Sequence, residues 1–549
     1  MGMTGSAITI VKKEKAPPMV PGRNQESTTP DSHSDAATPM PMNPPRRRME
    51  RRVAATPPGS SGRESRVEDS LMPTSQLYVG GKSQNVHRMS PSVRWLFFAV
   101  VLWAGIWMGE WFPRCASLRW WAMSLLLMCA LLLRVKMMTV SAVLALLFIG
   151  GLASGASVWH QPLGVIEGEC RGVATVRVDP TFRSNGTATV LELQHKRYKV
   201  LAYGSAGRHL ARRLVGESVR VVGECSPNDG AFSRFDRVNH VIGRMNVSSV
   251  SETFSEGSMF VRAANRMRRS LVNGVESMPF GQRALFTGLV IGDDRDQSPE
   301  MVQRFRSSGL SHLCAVSGQN VAYLLIVASP LLKRRSKWMK WSLTMLLLVW
   351  FVVLTRAEPS VLRAAFMAAM VASNALLRSP VNARVVLSRA VLVLLLIDPM
   401  LAWSVGFALS VGATAGLAWA SAGIGRVVGH RGILAATLAA QLGTAPVSLI
   451  VFGFVPVISL LANPLAIPVA GFVMTVGLPV ALLASAVPIL VPLVSWVLAI
   501  PVSWVDGVSR VASFLSPHGW WNGALWVLTG LLLLRRAMRN AQRHTAVAG

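Results

Sequence analysis

Charged residues are scarce in this sequence. Of its 549 residues, 15% are charged and 51% are hydrophobic. Apolar runs of about 20 residues, the length that crosses a bilayer, recur through most of the chain. The composition therefore indicates a mainly α-helical, polytopic membrane protein, a helix bundle of about a dozen spans.

Acidic residues are the scarcest charged type. The 27 Asp and Glu residues stand against 56 Lys and Arg, a formal net charge of +29. This excess fits basic loops held on the positive side of a membrane, and it equally fits contact with a polyanion. Charge alone does not choose between the two.

The sequence also lacks the motifs of energy-converting and hydrolytic enzymes. Residues 80–83 look like the end of a phosphate-binding loop, but Gln76 stands where such a loop needs glycine. No His-x-His-x-Asp-His array and no membrane-embedded series of carboxylates is visible. We therefore expect no catalytic residue, no metal and no cofactor.

Composition divides the chain into six regions. A cleavable signal peptide is not expected, because the first apolar run begins only at Trp95. The positive-inside bias of the basic loops predicts that both termini are cytoplasmic. A late run at 501–515 is read as an interfacial or re-entrant piece. The regions are a disordered basic tail (1–94), three apolar segments (95–112, 120–133 and 137–160, within 95–160), a β domain (165–250), amphipathic interfacial helices (257–310), the main membrane domain (311–534) and a basic tail (535–549).

Residues 165–250 do not resemble a membrane segment. The residues at 184–186, Ser-Asn-Gly, predict a tight hairpin turn, because Asn-Gly readily takes positive φ. Five strands in about 85 residues suit a small OB-like β-barrel, with a sandwich fragment as the alternative. Partial alternation of apolar and polar residues predicts these strands at 171–179, 187–194, 196–203, 216–225 and 238–250.

This β domain has a weak signature of single-strand binding. It carries 13 Lys and Arg against 8 Asp and Glu. Basic side chains suit phosphates and aromatic faces suit bases, although basic small domains are common. The interleaved aromatic residues are Phe182, Tyr198, Tyr203, Phe232 and Phe235.

Only five cysteines are present. Cys115, Cys129 and Cys314 lie in or beside apolar segments, where free thiols behave as small hydrophobes. Cys170 and Cys225 flank the predicted barrel, and their spacing matches no metal-ligand pattern. We expect a disulfide between them, as in domains exposed to an oxidising compartment.

A polar cluster interrupts the apolar pattern at residues 288–327. This stretch opens with Gly-Asp-Asp-Arg, continues through an amphipathic piece at 299–308, and then enters an apolar segment. Polar groups at membrane depth usually face protein or a water-filled path, and the alternative is a place in the headgroup layer without function. The polar residues at the head of the segment are Ser311, His312, Ser317, Gln319 and Asn320.

The same stretch carries a family resemblance. Thr-Gly-Leu-Val-Ile-Gly-Asp-Asp-Arg at 287–295 and Gly-Leu-Ser-His-Leu-Cys-Ala-Val-Ser-Gly at 309–318 resemble the signature of the ComEC-type competence proteins, the DNA-uptake channels of transformable bacteria. The likeness extends over about 95–534. Further motifs follow in order: Glu-Pro-Ser-Val-Leu-Arg-Ala at 358–364, Asp-Pro at 398–399 with Gly-Phe-Ala-Leu-Ser at 406–410, Gln-Leu-Gly-Thr-Ala-Pro at 441–446 and Leu-Ala-Asn-Pro-Leu-Ala-Ile-Pro at 461–468.

The sequence departs from the family pattern in three ways. Gln319 and Asn320 replace a usual Leu-His pair, and Asn320 can hydrogen-bond but does not titrate near neutrality. Ser404 and Ala408 replace an acidic residue and a glutamine on either side of Gly406. Larger members add a metallo-β-lactamase-like nuclease domain, which is not expected here because the chain stops soon after its last apolar segment.

The resemblance implies a channel that moves single-stranded DNA across the cytoplasmic membrane during natural transformation, without enzymatic activity. Because every nucleotide is charged, such a path needs a basic or donor-rich lining. An entry loop of Asp293, Asp294 and Arg295 is expected to precede it. The expected path residues are His312, Ser317, Gly318, Gln319, Asn320, Arg304, Arg306, Arg363, Gln441 and Asn463.

The expected partners are single-stranded DNA, membrane lipid, a DNA receptor and a cytoplasmic motor or helicase. Assembly into a homo-oligomer is left open. A transporter, flippase or enzyme acting on another anionic substrate is the main alternative, and a structural scaffold is the third.

Overall fold

The computed structural model describes residues 90–113, 138–160, 167–183, 186–227, 234–314, 317–380, 382–428, 432–517 and 519–548. Residues 1–89 of the predicted tail, the segment at 120–133, the turn residues 184–185, Phe232, Cys115 and Cys129 lie outside the described residues. Residues 91–94, assigned to the tail from the sequence, instead form the start of the first helix.

A group of five β-strands, with two short helices among them, lies between the first two helices and the remaining helices of the described chain. The first half contains α1 (Pro91–Met108), α2 (Met138–Trp159), β1 (Gly168–Arg183), β2 (Gly186–Leu193), β3 (Lys196–Ala202), α3 (Gly204–Ala211), β4 (Ser218–Pro227), α4 (Arg234–Val238), β5 (Val241–Ser255), α5 (Met259–Asn273) and α6 (Phe280–Ile291). The second half contains α7 (Pro299–Ser307), α8 (Ser311–Cys314), α9 (Gly318–Lys333), α10 (Lys337–Leu354), α11 (Pro359–Leu376), α12 (Ala383–Ile397), α13 (Val405–Val428), α14 (Gly432–Phe452), α15 (Ser459–Phe472), α16 (Leu478–Ala486), α17 (Val491–Phe514) and α18 (Trp520–Ala548).

Within the described residues, eight helical stretches are long and apolar enough to cross a membrane. The chain is therefore an integral membrane protein with a mainly helical fold, as the composition predicts. The expected number of about a dozen included the segment at 120–133, outside the described part. The eight stretches are Pro91–Trp111, Ala142–Trp159, Lys337–Leu354, Pro359–Leu376, Val405–Val428, Gly432–Phe452, Ser459–Ala486 and Pro488–Phe514.

The reading of residues 501–515 as an interfacial or re-entrant piece was wrong. Helix α17 continues without interruption from Val491 to Phe514, with Pro501 inside it. Proline removes one hydrogen bond of the helical ladder, but membrane helices tolerate this where local adjustments or neighbouring groups satisfy the freed carbonyl.

The five predicted strands form a closed barrel in the order β1-β2-β3-β5-β4. Strands β3 and β5 are parallel, the other neighbouring pairs are antiparallel, and α3 connects β3 to β4. This mixed, OB-like barrel confirms the predicted domain. The predicted disulfide is also present, since Cys170 of β1 is bonded to Cys225 of β4.

The aromatic residues of the barrel divide between core and surface. Tyr198 is fully buried in the barrel core, so its predicted role as a stacking platform for bases was wrong. It points inward because it shares the alternation of Val200 and Ala202, which are also buried. Phe182 and Tyr203 are 75% and 52% exposed and remain available on the surface.

Glycines set the closest helix contacts in the membrane domain. A Cβ added to Gly416 of α13 would meet the backbone of Ala439 and Gly443 in α14, and one added to Gly412 would meet Gly443. Such close approach of two backbones is how small residues stabilise helix pairs within a bilayer. Gly105 of α1 makes the same kind of contact with α2.

Candidate functional site

Arg363 is a buried cation near the start of a membrane helix. It lies in the second turn of α11 and is 6% exposed. Its Nε donates a hydrogen bond of 2.9 Å to Ser410 Oγ of α13, and Nη1 lies 3.1 Å from the sulfur of Met367. In the described ranges, no carboxylate forms an ion pair with it. Among the described residues, its charge is therefore compensated by neutral groups.

The first turn of α9 lies against this guanidinium. A Cβ on Gly318 would sit 2.9 Å from Nη2 of Arg363 and 3.1 Å from the Cβ of Ala364. Glycine thus permits this close approach, whereas a larger residue would require the Arg363 guanidinium or Ala364 to shift. The N-terminus of a helix carries partial positive charge, so this arrangement brings two positive groups together. A negatively charged ligand is the natural complement.

The polar residues that open α9 have partners within the protein. Ser317 caps the helix by accepting from the Gln319 backbone N–H at 3.3 Å, and its hydroxyl lies 3.3 Å from Asn320 Oδ1. The Asn320 amide donates to the Leu289 carbonyl of α6 at 3.2 Å. The Gln319 amide donates to the Tyr323 hydroxyl at 2.8 Å. These bonds fix the start of α9 against α6, and whether the same residues line a path stays a prediction.

Three further predicted path residues, on α7 and α8, lie apart from the Arg363 contacts. Arg304 of α7 pairs with Asp506 of α17 at 2.7 Å, while Arg306 is exposed with its guanidinium 5.6 Å from the Phe452 ring centre. His312, in the short helix α8, is also exposed. No hydrogen bond or ion pair connects any of these three residues to Arg363 in the described part of the chain.

Gln441 lies in α14 and Asn463 in α15, and both carry polar side chains inside apolar helices. The Gln441 amide donates to Ser459 Oγ. The side-chain oxygens of Gln441 and Asn463 are buried without a hydrogen-bond partner among the described residues. Whether these two residues line a path stays a prediction.

The predicted entry loop is held by ion pairs. Asp293 is buried and accepts from Arg295 Nε at 2.7 Å, and it lies 3.0 Å from Nη2 of Arg268 in α5. Burial by itself would raise the pKa of Asp293, but the hydrogen bond from Arg295 and the charges of Arg268 and Arg295 lower that pKa to about 2. The carboxylate is therefore ionised and fully engaged at neutral pH. Asp294 beside it is exposed.

Comparison with known proteins finds relatives for the region that contains these residues. Residues 289–541 match the family model described as Competence protein. Over this region, somewhat less than half of the chain, the sequence is similar to the competence protein family. It is 28% identical over 246 residues to ComE operon protein 3 of Bacillus subtilis (strain 168), covering 43% of the chain and 31% of that protein. It is 31% identical over 224 residues to Competence protein ComA of Neisseria gonorrhoeae, covering 37% of the chain and 30% of that protein.

The chain thus spans about a third of the length of these competence relatives. No solved structure matches it significantly. Arg363, Gly318 and Ser410 all fall inside the region matched by the competence model, whereas the barrel falls outside it.

An ionic junction connects the barrel to the competence region. Asp179 of β1 accepts from Arg356, in the loop between α10 and α11, at 3.1 and 3.2 Å, and from Arg268 at 3.2 Å. Asn265 of α5 completes it by accepting from Arg356 at 2.8 Å. Sequence reasoning missed Asp179, Arg268 and Asn265. A signal was present for Arg268, which shares a helical face with the buried Ala264 and Leu271 of an amphipathic helix.

A second junction joins the other side of the barrel region to the competence region. Arg237 of α4 lies 4.7 Å over the Trp159 ring, which stacks on Trp403 at a centroid distance of 4.7 Å. His240 lies 4.0 Å from Asp398, which also caps the following turn by accepting from the Met400 N–H. Asp398 therefore serves a helix boundary and an interdomain contact together.

Proposed function

We propose that this protein conducts single-stranded DNA across the cytoplasmic membrane during natural transformation, with Arg363 and the first turn of α9 contacting the phosphates. The observation that carries the proposal is the buried Arg363 guanidinium without a carboxylate partner in the described residues, inside the region that matches the competence family. The names of the relatives, ComE operon protein 3 and Competence protein ComA, support the same process.

The physical reason is the cost of an isolated charge in an apolar environment. A buried cation without compensation is strongly unfavourable, and such residues in membrane domains usually face a water-filled path or a ligand. A strand of DNA brings one negative charge per nucleotide and can compensate each buried cation that it passes. Ser410 supplies a further hydroxyl beside Arg363, Gly318 leaves room for the DNA backbone, and the positive end of the α9 dipole adds to the attraction for phosphate.

We further propose that the channel is not itself an enzyme and that it works with a DNA receptor, a cytoplasmic motor or helicase, and membrane lipid. Homo-oligomerisation is compatible with this arrangement. Because an unpaired guanidinium favours any anion, a transporter or flippase for another anionic substrate is the alternative function.

The test is uptake of labelled DNA by a strain that lacks the gene, complemented with the full-length protein or its variants. Arg363→Gln should lower uptake by about tenfold to a hundredfold, the loss expected when one charge-assisted phosphate contact is removed. Arg363→Lys should retain part of the activity because it keeps the charge. Arg389→Gln is the matched control, since this α12 arginine instead packs over the Trp95 ring at 4.5 Å.

Protein levels in the membrane are measured by immunoblotting in each strain. Normal levels of Arg363→Gln with parental uptake would place the DNA path elsewhere. Normal transformation in the deletion strain itself would favour the alternative of another anionic substrate.

A further inference from the structure

The loop between α10 and α11 holds two consecutive residues in an uncommon backbone conformation. Arg356 and Ala357 have φ values of +63° and +55°, in the left-handed region. Non-glycine residues rarely adopt this region, and two in succession require surrounding contacts that hold them there. The two residues immediately precede Glu358, from which α11 starts.

The contacts that hold this turn come largely from outside the loop. The Asp179 carboxylate binds the Arg356 guanidinium through both oxygens, and Asn265 binds its Nη2. The backbone N–H of Ala357 donates to Val352 at 2.8 Å. Asp179 itself is oriented by the Val215 N–H at 3.0 Å. One carboxylate of the barrel thus stabilises a strained turn of the membrane domain.

A second arginine, Arg268, also connects Asp179 to this turn. Arg268 is 3% exposed, shares Asp179 with Arg356, and donates to the Leu354 carbonyl at the end of α10 at 3.0 Å. Asp179 therefore acts on the turn in two ways. It binds Arg356 within the turn, and it binds Arg268, which holds Leu354 just before the turn.

The turn leads without a break into the helix that carries Arg363. The N–H groups of Val361 and Leu362 both donate to Glu358, so the helical ladder begins directly after Ala357. A helix moves largely as a rigid element, so a change in the turn displaces Arg363 in the second turn of α11. The Arg363 guanidinium lies beside Gly318 of α9, 2.9 Å from the position that a Cβ would take, so such a shift would change this contact.

We propose that Asp179 is a positioning residue, which seats the strained turn at Arg356 and Ala357 and thereby holds Arg363 against the first turn of α9. This inference rests on the proposed function only for its effect on DNA uptake. The barrel is thereby coupled mechanically to the phosphate site in the membrane domain.

The chain contains a matched control for this carboxylate. Glu192 of β2 also binds two arginines, Arg177 at 2.7 Å and Arg197 at 3.2 Å, but all three residues belong to the barrel. Asp179→Asn and Glu192→Gln therefore each remove one carboxylate charge shared by two arginines. They differ in that Asp179 binds Arg356 of the membrane domain, whereas both arginines bound by Glu192 belong to the barrel.

The experiment is hydrogen–deuterium exchange of the purified full-length protein in nanodiscs, together with DNA uptake in cells. Asp179→Asn should accelerate amide exchange in residues 355–363 by about tenfold or more, as local opening becomes easier. Strands β1 and β2 should remain as protected as in the parent, and uptake should fall. Glu192→Gln should leave the exchange of 355–363 and uptake unchanged.

A second variant tests the strain directly. Glycine adopts positive φ without a steric penalty, so Ala357→Gly should let the turn form without the carboxylate. In the Asp179→Asn background, Ala357→Gly should slow amide exchange in residues 355–363 by about tenfold. This is the order expected when the steric penalty of one left-handed residue is removed.

Three outcomes separate the two proposals. If Asp179→Asn loosens only the barrel strands, or changes exchange nowhere, Asp179 does not position the turn and the inference is overturned. If exchange at 355–363 rises as expected while uptake stays normal, the positioning role stands. That last result would count against the role of Arg363 in the proposed function.

Discussion

Buried arginines in this protein have two kinds of surroundings. Arg268 lies between two carboxylates, Asp179 and Asp293, and donates to the Leu354 carbonyl. Arg363 instead contacts a hydroxyl and a thioether sulfur. A paired buried charge is compensated within the fold, whereas Arg363 has no carboxylate partner among the described residues. Under the proposed function, Arg268 therefore has a structural role and Arg363 a binding role.

Glu358 is a half-buried carboxyl group directly before α11. Burial and the negative charge of Asp294 raise the pKa of Glu358 from 4.5 to about 7, and the charge of Arg268 offsets part of this rise. The folded protein then binds a proton more tightly than the unfolded chain, so this residue makes stability fall as pH rises from about 4.5 to above 7. Glu358→Gln removes the titrating group and should flatten the pH dependence of the melting temperature in that window.

The measurement is thermal unfolding of the purified protein between about pH 4.5 and 8. Glu192→Gln is the control, because hydrogen bonding to Arg177 lowers the pKa of Glu192, outweighing its burial, and its titration lies below the window. An unchanged slope in Glu358→Gln would show that Glu358 ionises like an exposed carboxylate.

Helix pairs in the membrane domain depend on small residues at their contacts. Gly412 and Gly416 of α13 meet Gly443 and Ala439 of α14, at a spacing of four residues on the first helix. Apolar side chains alone hold membrane helices together weakly, because lipid is equally apolar, so backbone approach provides much of the contact. The same helix α13 carries Ser410, the partner of Arg363, so this packing also positions part of the proposed phosphate site.

Gly416→Val should therefore disrupt the α13–α14 pair. Its added atoms would overlap the Ala439 carbonyl, and overpacking of this kind costs about 1–3 kcal/mol. The melting temperature and the yield of monodisperse protein in detergent are the measurements. Gly423→Val is the matched control on the same helix, since a Cβ there meets no atom within 4 Å. Equal losses in the two variants would show that β-branching in the helix, and not the contact, is responsible.

The whole molecule is a membrane domain with a β-barrel fixed to it at two places. The ionic junction at Asp179 holds one part of the barrel, and the contacts of Arg237 and His240 hold another. The Cys170–Cys225 disulfide suits an oxidising compartment, and basic loops such as 333–340 suit the cytoplasm. Together they favour a barrel outside the cytoplasmic membrane with both termini inside.

Reporter fusions test this orientation. Gly204 is exposed, has positive φ and has open space around it, so a reporter inserted there should disturb the barrel little. We expect activity from a periplasmic-type reporter at Gly204 and from a cytoplasmic-type reporter after the C-terminal residue. A cytoplasmic signal from Gly204 would reverse the predicted topology and contradict DNA entry from the barrel side.

Much of the fold follows from local patterns in the sequence. Long apolar runs determined the membrane helices, and short alternating runs determined the five strands, because helices and strands repeat with different periods. The position of Cys170 on the first strand and Cys225 on the fourth also predicted the disulfide. The inward orientation of Tyr198 was readable from the same alternation, although the net basic charge of the domain suggested a surface role.

The candidate site was only partly predictable. Arg363 and Gly318 belong to motifs that the sequence displays, but their proximity depends on α9 meeting α11. Asp179 and Arg356 are 177 positions apart in the chain, and no periodicity relates a barrel strand to a loop between membrane helices. Local patterns determined which elements form, because each element satisfies its own backbone and buries its own apolar face. Only the tertiary structure decided which charges are paired within the described residues, because pairing depends on distances between elements that are remote in sequence.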